Sequence, residues 1–236
     1  SGASAAHRPG DRAGRTQNPI SSDLAVMRTS LIPGLLGAAA HNINRQQTRV
    51  RLFETGLRFM PGESLAQTPM LGLLLCGRRM PEGWSSDAAS VDFYDIKGEI
   101  EALLQAADQR LTFRSAVRPG LHDGQTAEIL LGDELVGVMG RLHPSAAKTM
   151  NLPEQTLVAE LALASVVGRA LPDYQEISKF PEVRRDIAVI VNRETPSASV
   201  LDTAKASAGA ALADARIFDV YEGDGVAETA KSLAIG

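Results

Sequence analysis

Apolar positions along this chain alternate between two periods. Leu24, Met27 and Leu31 follow Ser22 and Asp23 at helical spacing, and Leu35, Leu36 and a run of alanines follow Pro33 to about Arg45. Ser22 or Asp23 suits an N-cap, and Pro33 suits the first turn of a second helix, where its missing N–H would be unpaired anyway. Arg49 to Glu54 then alternates, placing Val50 and Leu52 on one strand face and Arg49 and Arg51 on the other, with Gly56 permitting a bulge or turn before Leu57. Met70 to Gly77 reads as a buried strand, and Phe93, Ile96, Ile100, Leu103, Leu104 and Ala107 form one stripe of an amphipathic helix. Leu111 to Ala116, Thr126 to Leu131, Leu135 to Leu142 and Thr156 to Leu163 are further strands, the middle two joined by the hairpin signal Gly132-Asp133.

Strands separated by so few helices predict an α+β domain with a mainly antiparallel sheet. Gly168 to Ser178, with Pro172 and little apolar periodicity, is the best linker. Beyond it come a strand (Arg184 to Val191), a helix (Ser197 to about Ala208), a strand (Ala215 to Glu222), the turn signal Asp224-Gly225 and the segment Lys231 to Gly236. That β-α-β-β order is the first half of a ferredoxin-like unit. The predicted organisation is therefore an irregular leader at 1–17, a core domain at 18–168, a linker at 169–177 and a partial ferredoxin-like domain at 178–236.

Composition narrows the function classes. The chain has 236 residues, 44% of them hydrophobic, enough for one large domain and part of a second. No run approaches the ~18 apolar residues of a membrane helix. Residues 1–14 lack a continuous apolar stretch, which argues against export and for a cytoplasmic location. The single cysteine, Cys76, sits inside an apolar run and reads as a buried small hydrophobe.

The net charge of -4 conceals a gradient: residues 1–60 carry eight arginines against three acids, and the remainder is acidic. Bulk attraction to a polyanion is therefore excluded, and any contact with RNA must rest on local clusters, shape and stacking. DNA and membrane partners are not expected.

Candidate chemistry is sparse. His7, His41, His122 and His143 lie on different predicted elements without metal-ligand spacing, and His143-Pro144 suits the close of a strand and the start of a short helix. Asp92, Asp95, Glu99 and Glu101 crowd one helix start, where the helix dipole favours acids; a magnesium site is the rival reading. Arg45, Arg49 and Arg51 suit carboxylates at a subunit interface, a solvated face or RNA phosphates. Arg184 and Arg185 open the strand after the linker, so alternation would send one toward the helix layer and one toward the open sheet face. Lys179 and Arg193 are secondary RNA-contact candidates.

Four stretches carry a family resemblance: Asn18-Pro-Ile-Ser-Ser with Met27-Arg-Thr-Ser-Leu, Asn42 to Phe59, Val91-Asp-Phe-Tyr-Asp-Ile-Lys-Gly98, and Ser178-Lys-Phe-Pro-Glu-Val-Arg-Arg-Asp-Ile-Ala-Val-Ile-Val191. Together they resemble the C-terminal part of the bacterial phenylalanyl-tRNA synthetase beta-subunit family; residues 1–17 depart from it. The resemblance implies a degenerate, non-catalytic copy of the class II synthetase core followed by an anticodon-binding domain. It implies an alpha subunit that does the chemistry in a heterotetramer, tRNA-Phe as the RNA partner, and ATP and Mg2+ used by the whole enzyme, with no cofactor held by this fragment. Arg45, Arg49 and Arg51 would then serve the subunit interface, and Lys179, Arg184, Arg185 and Arg193 the tRNA.

Active class II cores follow a strand like Arg49 to Phe59 with Arg-x-Glu, whose guanidinium neutralises the α-phosphate of ATP. Here Phe59-Met60-Pro61-Gly62-Glu63 stands in that place. No catalytic residue is expected. The rivals are a free-standing interaction module derived from this family and an autonomous nucleotide-using enzyme. By the same resemblance, the strand from Arg184 should pair with the one beginning near Lys231, while the second helix and fourth strand of the unit lie beyond the sequence. The half-module is expected to fold poorly and bind tRNA weakly.

Overall fold

The computed structural model describes residues 27–60, 65–104, 110–167, 181, 183–209 and 212–236. Two compact units divide between Asp173 and Tyr174. The leader 1–17 and the expected linker 169–177 lie outside the described residues.

The first unit contains α1 (Ile32–Ile43), β1 (Arg49–Met60), β2 (Ala66–Gly77), α2 (Phe93–Leu104), β3 (Leu111–Ser115), β4 (Leu121–Leu131), β5 (Glu134–Leu142), α3 (Pro144–Thr149), β6 (Thr156–Ala162) and α4 (Leu163–Val167). Its strands form one six-stranded sheet in the order β1-β2-β6-β5-β4-β3, every neighbouring pair antiparallel. β6 lies inside the sheet and is buried from Thr156 through Leu161.

Alternation along β6 feeds two separate apolar layers. Leu157, Ala159 and Leu161 pack with Ile96, Ile100 and Leu104 of α2. Val158 joins Leu74, Cys76 and the α1 residues Leu35 and Ala39 on the other face. Each large side chain buried this way contributes about 1.5–3 kcal/mol, so a sheet covered on both faces is held chiefly by these layers. Cys76 is wholly buried, and that burial pushes its thiol up to about 11, a hydrogen bond with Thr156 opposing part of the rise. It is a core side chain.

Several expected boundaries shift for identifiable reasons. Residues 22–26 of the expected first helix lie outside the described residues, and Met27 to Leu31 is not helical. Long-range bonds compete for that segment: Phe59 N donates to Arg28 O at 2.8 Å, Leu31 N to Glu160 Oε1 at 2.6 Å, and Ser30 Oγ to the same oxygen at 3.1 Å. α1 has no acid in its own first turn. The buried carboxylate of Glu160, reaching in from β6, stands beside its start instead, where the helix dipole favours negative charge.

Gly56 makes neither a bulge nor a turn; it sits in regular register opposite Met70. The Arg28 guanidinium lies over it, since a Cβ there would fall 2.0 Å from Arg28 Nη2. β4 starts five residues early, at Leu121, with an irregularity between Leu121 and Thr126. His143 caps α3, its Nδ1 accepting from Ser145 N at 3.3 Å, with Pro144 in the first turn.

The second unit contains β7 (Ile187–Asn192), α5 (Ser197–Ala208), β8 (Ile217–Tyr221) and β9 (Ala230–Ile235). The sheet order is β7-β9-β8, and β9 is antiparallel to both neighbours. β7 and β8 are thus parallel strands joined through α5 with a third inserted between them, the split β-α-β of a ferredoxin-like unit. β7 pairs with β9 from Ile187↔Ile235 to Asn192↔Ala230, so the strand that begins near Lys231 is indeed its partner.

Candidate functional site

On β1 the predicted alternation sets the site. Val50 is buried among α1 residues, while Arg49 and Arg51 project from the opposite face and converge on one acceptor, the Arg79 carbonyl. Arg49 Nε lies 3.3 Å from that oxygen and Arg51 Nη2 3.2 Å. Arg51 Nη1 also donates to Glu99 Oε1 at 2.6 Å, tying the edge strand to α2. Arg45 does not join them. It follows α1 and donates back to the His41 carbonyl at 3.3 Å.

Arg79 is the residue that sequence reasoning missed. Its guanidinium pairs with Asp92 and, at 3.0 Å, with Asp95. Those two acids also cap α2 reciprocally: Asp92 Oδ1 accepts from Tyr94 N at 2.8 Å and Asp95 N at 3.2 Å, while Asp95 Oδ2 accepts from Asp92 N at 2.7 Å. The hydrogen bond to Asp95, then the charges of Asp92 and Asp95, raise Arg79 above the ordinary guanidinium value. The spacing Asp92-x-x-Asp95 was the available signal for the cap, but nothing local announces the arginine.

The acids crowding the start of α2 are therefore committed to cations. Asp92 and Asp95 hold Arg79, Glu99 holds Arg51, and Glu101 holds Lys97 at 2.5 Å. Among the described residues no group of three or more His, Cys, Asp or Glu is placed to hold a metal ion. The position after Phe59 belongs to Met60, the last residue of β1; residues 61–64 lie outside the described set.

In the second unit Lys179 lies outside the described residues. Arg184 and Arg185 are exposed and precede β7, whose pairing starts only at Ile187↔Ile235. Strand alternation therefore does not sort them into an inward and an outward residue, contrary to expectation. Arg193 follows β7, its N–H donating to Thr229 O at 2.8 Å and its guanidinium pairing with Glu222 at 2.5 Å.

The sheet itself has unlike faces. Leu233 and Ile235 are buried on one, in register with Val189 and Ile187. The other carries Ile190 and Tyr221, both opposite Ser232, and remains 65% and 47% exposed at those residues. Phe218, 55% exposed, occupies the irregularity in β8 and lies against the same face, 3.1 Å from where a Gly236 Cβ would stand. Two aromatic rings on an open sheet face can stack unpaired bases.

Residues 3–163 match the family model described as phenylalanyl tRNA synthetase beta chain CLM domain, and residues 178–236 match the ferredoxin-fold anticodon binding domain. The phenylalanine–tRNA ligase beta subunit of Hahella chejuensis is 49% identical over 219 residues, covering 92% of this chain and 28% of that protein. The chain belongs to the phenylalanyl-tRNA synthetase beta-chain family. The beta subunits of Pseudomonas fluorescens and Pasteurella multocida are 49% and 45% identical, over 93% and 92% of this chain. The chain spans about 28% of the length of these curated relatives. The pyrrolysyl tRNA synthetase PylSc of Desulfitobacterium hafniense superposes with a TM-score of 0.46 at 14% identity, over 66% of this chain and 52% of that one, too weakly to argue from.

The beta-chain match takes in residues 3–17, the stretch whose composition sets it apart. Its end at Leu163 coincides with the junction of β6 and α4. No helix among the described residues is long and apolar enough to cross a membrane.

Proposed function

We propose that this chain is the non-catalytic structural and tRNA-binding part of phenylalanyl-tRNA synthetase, the enzyme that ligates phenylalanine to tRNA-Phe using ATP. The observation that carries this is the order of two matched domains on one chain, the beta-chain CLM domain and then the anticodon-binding domain, with 49% identity to a beta subunit running across both. The relatives' name as beta subunits supports an alpha subunit as partner, within a cytoplasmic heterotetramer. In this reading ATP and Mg2+ are used by the whole enzyme, and its active site belongs to the alpha subunit. The domain limits that go with it are 18–168 for the core and 178–236 for the anticodon-binding domain.

The alpha subunit meets the Arg49–Arg51 face of β1. Several features support this: β1 is an edge strand, its arginine face is fixed through Arg79, and Phe53 on the same face is 74% exposed. Replacing both Arg49 and Arg51 by Ala is expected to weaken binding to the alpha subunit about 10-fold or more in calorimetric titration. Unchanged affinity would remove this surface from the interface.

Transfer RNA meets the second unit, its bases on the open face of Ile190, Phe218 and Tyr221 and its phosphates drawn by the charges of Lys179, Arg184, Arg185 and Arg193. Base stacking contributes about 1–3 kcal/mol per base. Tyr221→Ala with Phe218→Ala is therefore expected to reduce tRNA-Phe affinity at least ~10-fold, measured by filter binding at fixed salt. Affinity equal to that of the unaltered chain would remove the sheet face from the tRNA site.

A further inference from the structure

The segment between β2 and α2 is built to hold one side chain out in water. Its base is closed by Val91 N donating to Gly77 O at 3.0 Å, Arg79 N to Ala89 O at 2.8 Å, and an Arg78↔Ser90 bridge. Its interior is tied by Arg78 Nη2 to Asp87 O at 3.1 Å and by Ser86 Oγ to Pro81 O at 2.8 Å. At the tip stands Trp84, 101% exposed, with Met80 half-exposed nearby in sequence. It is the single tryptophan of a chain in which only 4% of residues are aromatic. Hydrogen-bonded loops that present a bare indole match the anchors of protein interfaces, where burying such a ring dominates affinity.

Two observations say what covers it. The loop is continuous with the arginine face of β1, since the Arg79 carbonyl at its base accepts from both Arg49 and Arg51. The loop is also charge-balanced: Arg78 and Arg79 stand against Glu82 and Asp87, and Arg79 is further engaged by Asp92 and Asp95. A phosphate backbone would find no net attraction there. The occupant is a protein.

We propose that residues 79–90 form a docking arm whose Trp84 enters an apolar pocket on a protein partner, the same partner that presents carboxylates to Arg49 and Arg51. The proposal rests on the reading that this face meets the alpha subunit. Trp84 has no part in the core, so its substitution leaves the fold intact, and a uniquely placed indole permits a direct readout.

The test uses the full chain carrying fluorotryptophan, which places one fluorine resonance at Trp84. On addition of purified alpha subunit the resonance is expected to shift and broaden, and Trp84→Ala to weaken affinity about 30-fold. Trp84→Phe should recover part of that loss. Should the alanine variant fail to fold, the resonance of the unsubstituted chain still decides. If the alpha subunit binds and Arg49→Ala with Arg51→Ala weakens it while the resonance stays put, the arm is overturned and the arginine surface stands. If the alpha subunit does not bind at all, both readings fall. If the resonance moves with tRNA-Phe and not with the alpha subunit, the arm is an RNA contact and the proposal is overturned.

Discussion

The purified chain, freed of any alpha subunit, is expected to show no phenylalanine-dependent exchange of pyrophosphate into ATP. Adenylation places negative charge on an α-phosphate, and stabilising it requires a preorganised cation at that position. By resemblance to active class II cores the cation would follow Phe59, where β1 instead ends on Met60. Arg28, whose carbonyl accepts from Phe59 N, has its guanidinium held by Glu54. Loss of a single charge-stabilising donor already costs about 100- to 1,000-fold in comparable sites, and here an uncharged methionine stands where that donor would be. Exchange above background that survives rigorous removal of alpha subunit would overturn the non-catalytic reading.

Gly77→Ala is expected to remove about 3 kcal/mol or more from the stability of the first unit, read as a fall in the urea midpoint. Gly77 has φ +84°, and an added Cβ would lie 2.2 Å from the Thr48 carbonyl oxygen, a backbone atom that cannot swing aside. That oxygen also accepts from Arg78 N at 2.8 Å, the bond that closes the start of β1 onto the end of β2. The positive φ alone costs an alanine about 1–2 kcal/mol; opening the Thr48–Arg78 closure supplies the rest. Gly37→Ala is the control, because this exposed position in α1 has nothing within 4 Å of an added Cβ. It should stabilise by up to about 1 kcal/mol. Equal midpoints for the two variants would refute the account of Gly77.

Where sequence patterning succeeded, the cause was local. Pro33 opens α1, the alternation of β1 separates Val50 from Arg49 and Arg51, Gly132-Asp133 turns β4 into β5, and α5 spans Ser197 to Ala208 as its spacing predicts. It failed where a distant partner decides. Met27 to Leu31 carries helical spacing, yet Glu160, 129 residues beyond Leu31, claims its backbone. The importance of Arg79 depends on acids 13 and 16 residues later whose presence a helix dipole already explains. Arg184 and Arg185 look like strand residues until the pairing with β9 places the strand start at Ile187. Trp84 gave no signal at all, because full exposure of an indole is a property of the folded loop and not of its neighbours in sequence.

The position of β6 has a consequence for how the first unit comes together in time. β6 is the last of its six strands to be synthesised, yet it lies between β2 and β5 and pairs Met70 with Ala162 and Gly137 with Leu161. Until residues 156–162 leave the ribosome, the β1–β2 hairpin and the β3–β4–β5 meander are two half-sheets, each with one inner edge unpaired. Neither apolar layer can close, since Leu157, Val158, Ala159 and Leu161 supply the middle of both. The half-sheets must wait with sticky edges, the situation in which nascent chains depend on chaperones. One short strand thus acts as the closing stroke of the domain, and the carboxylate it carries at Glu160 fastens Ser30 and Leu31 in the same event.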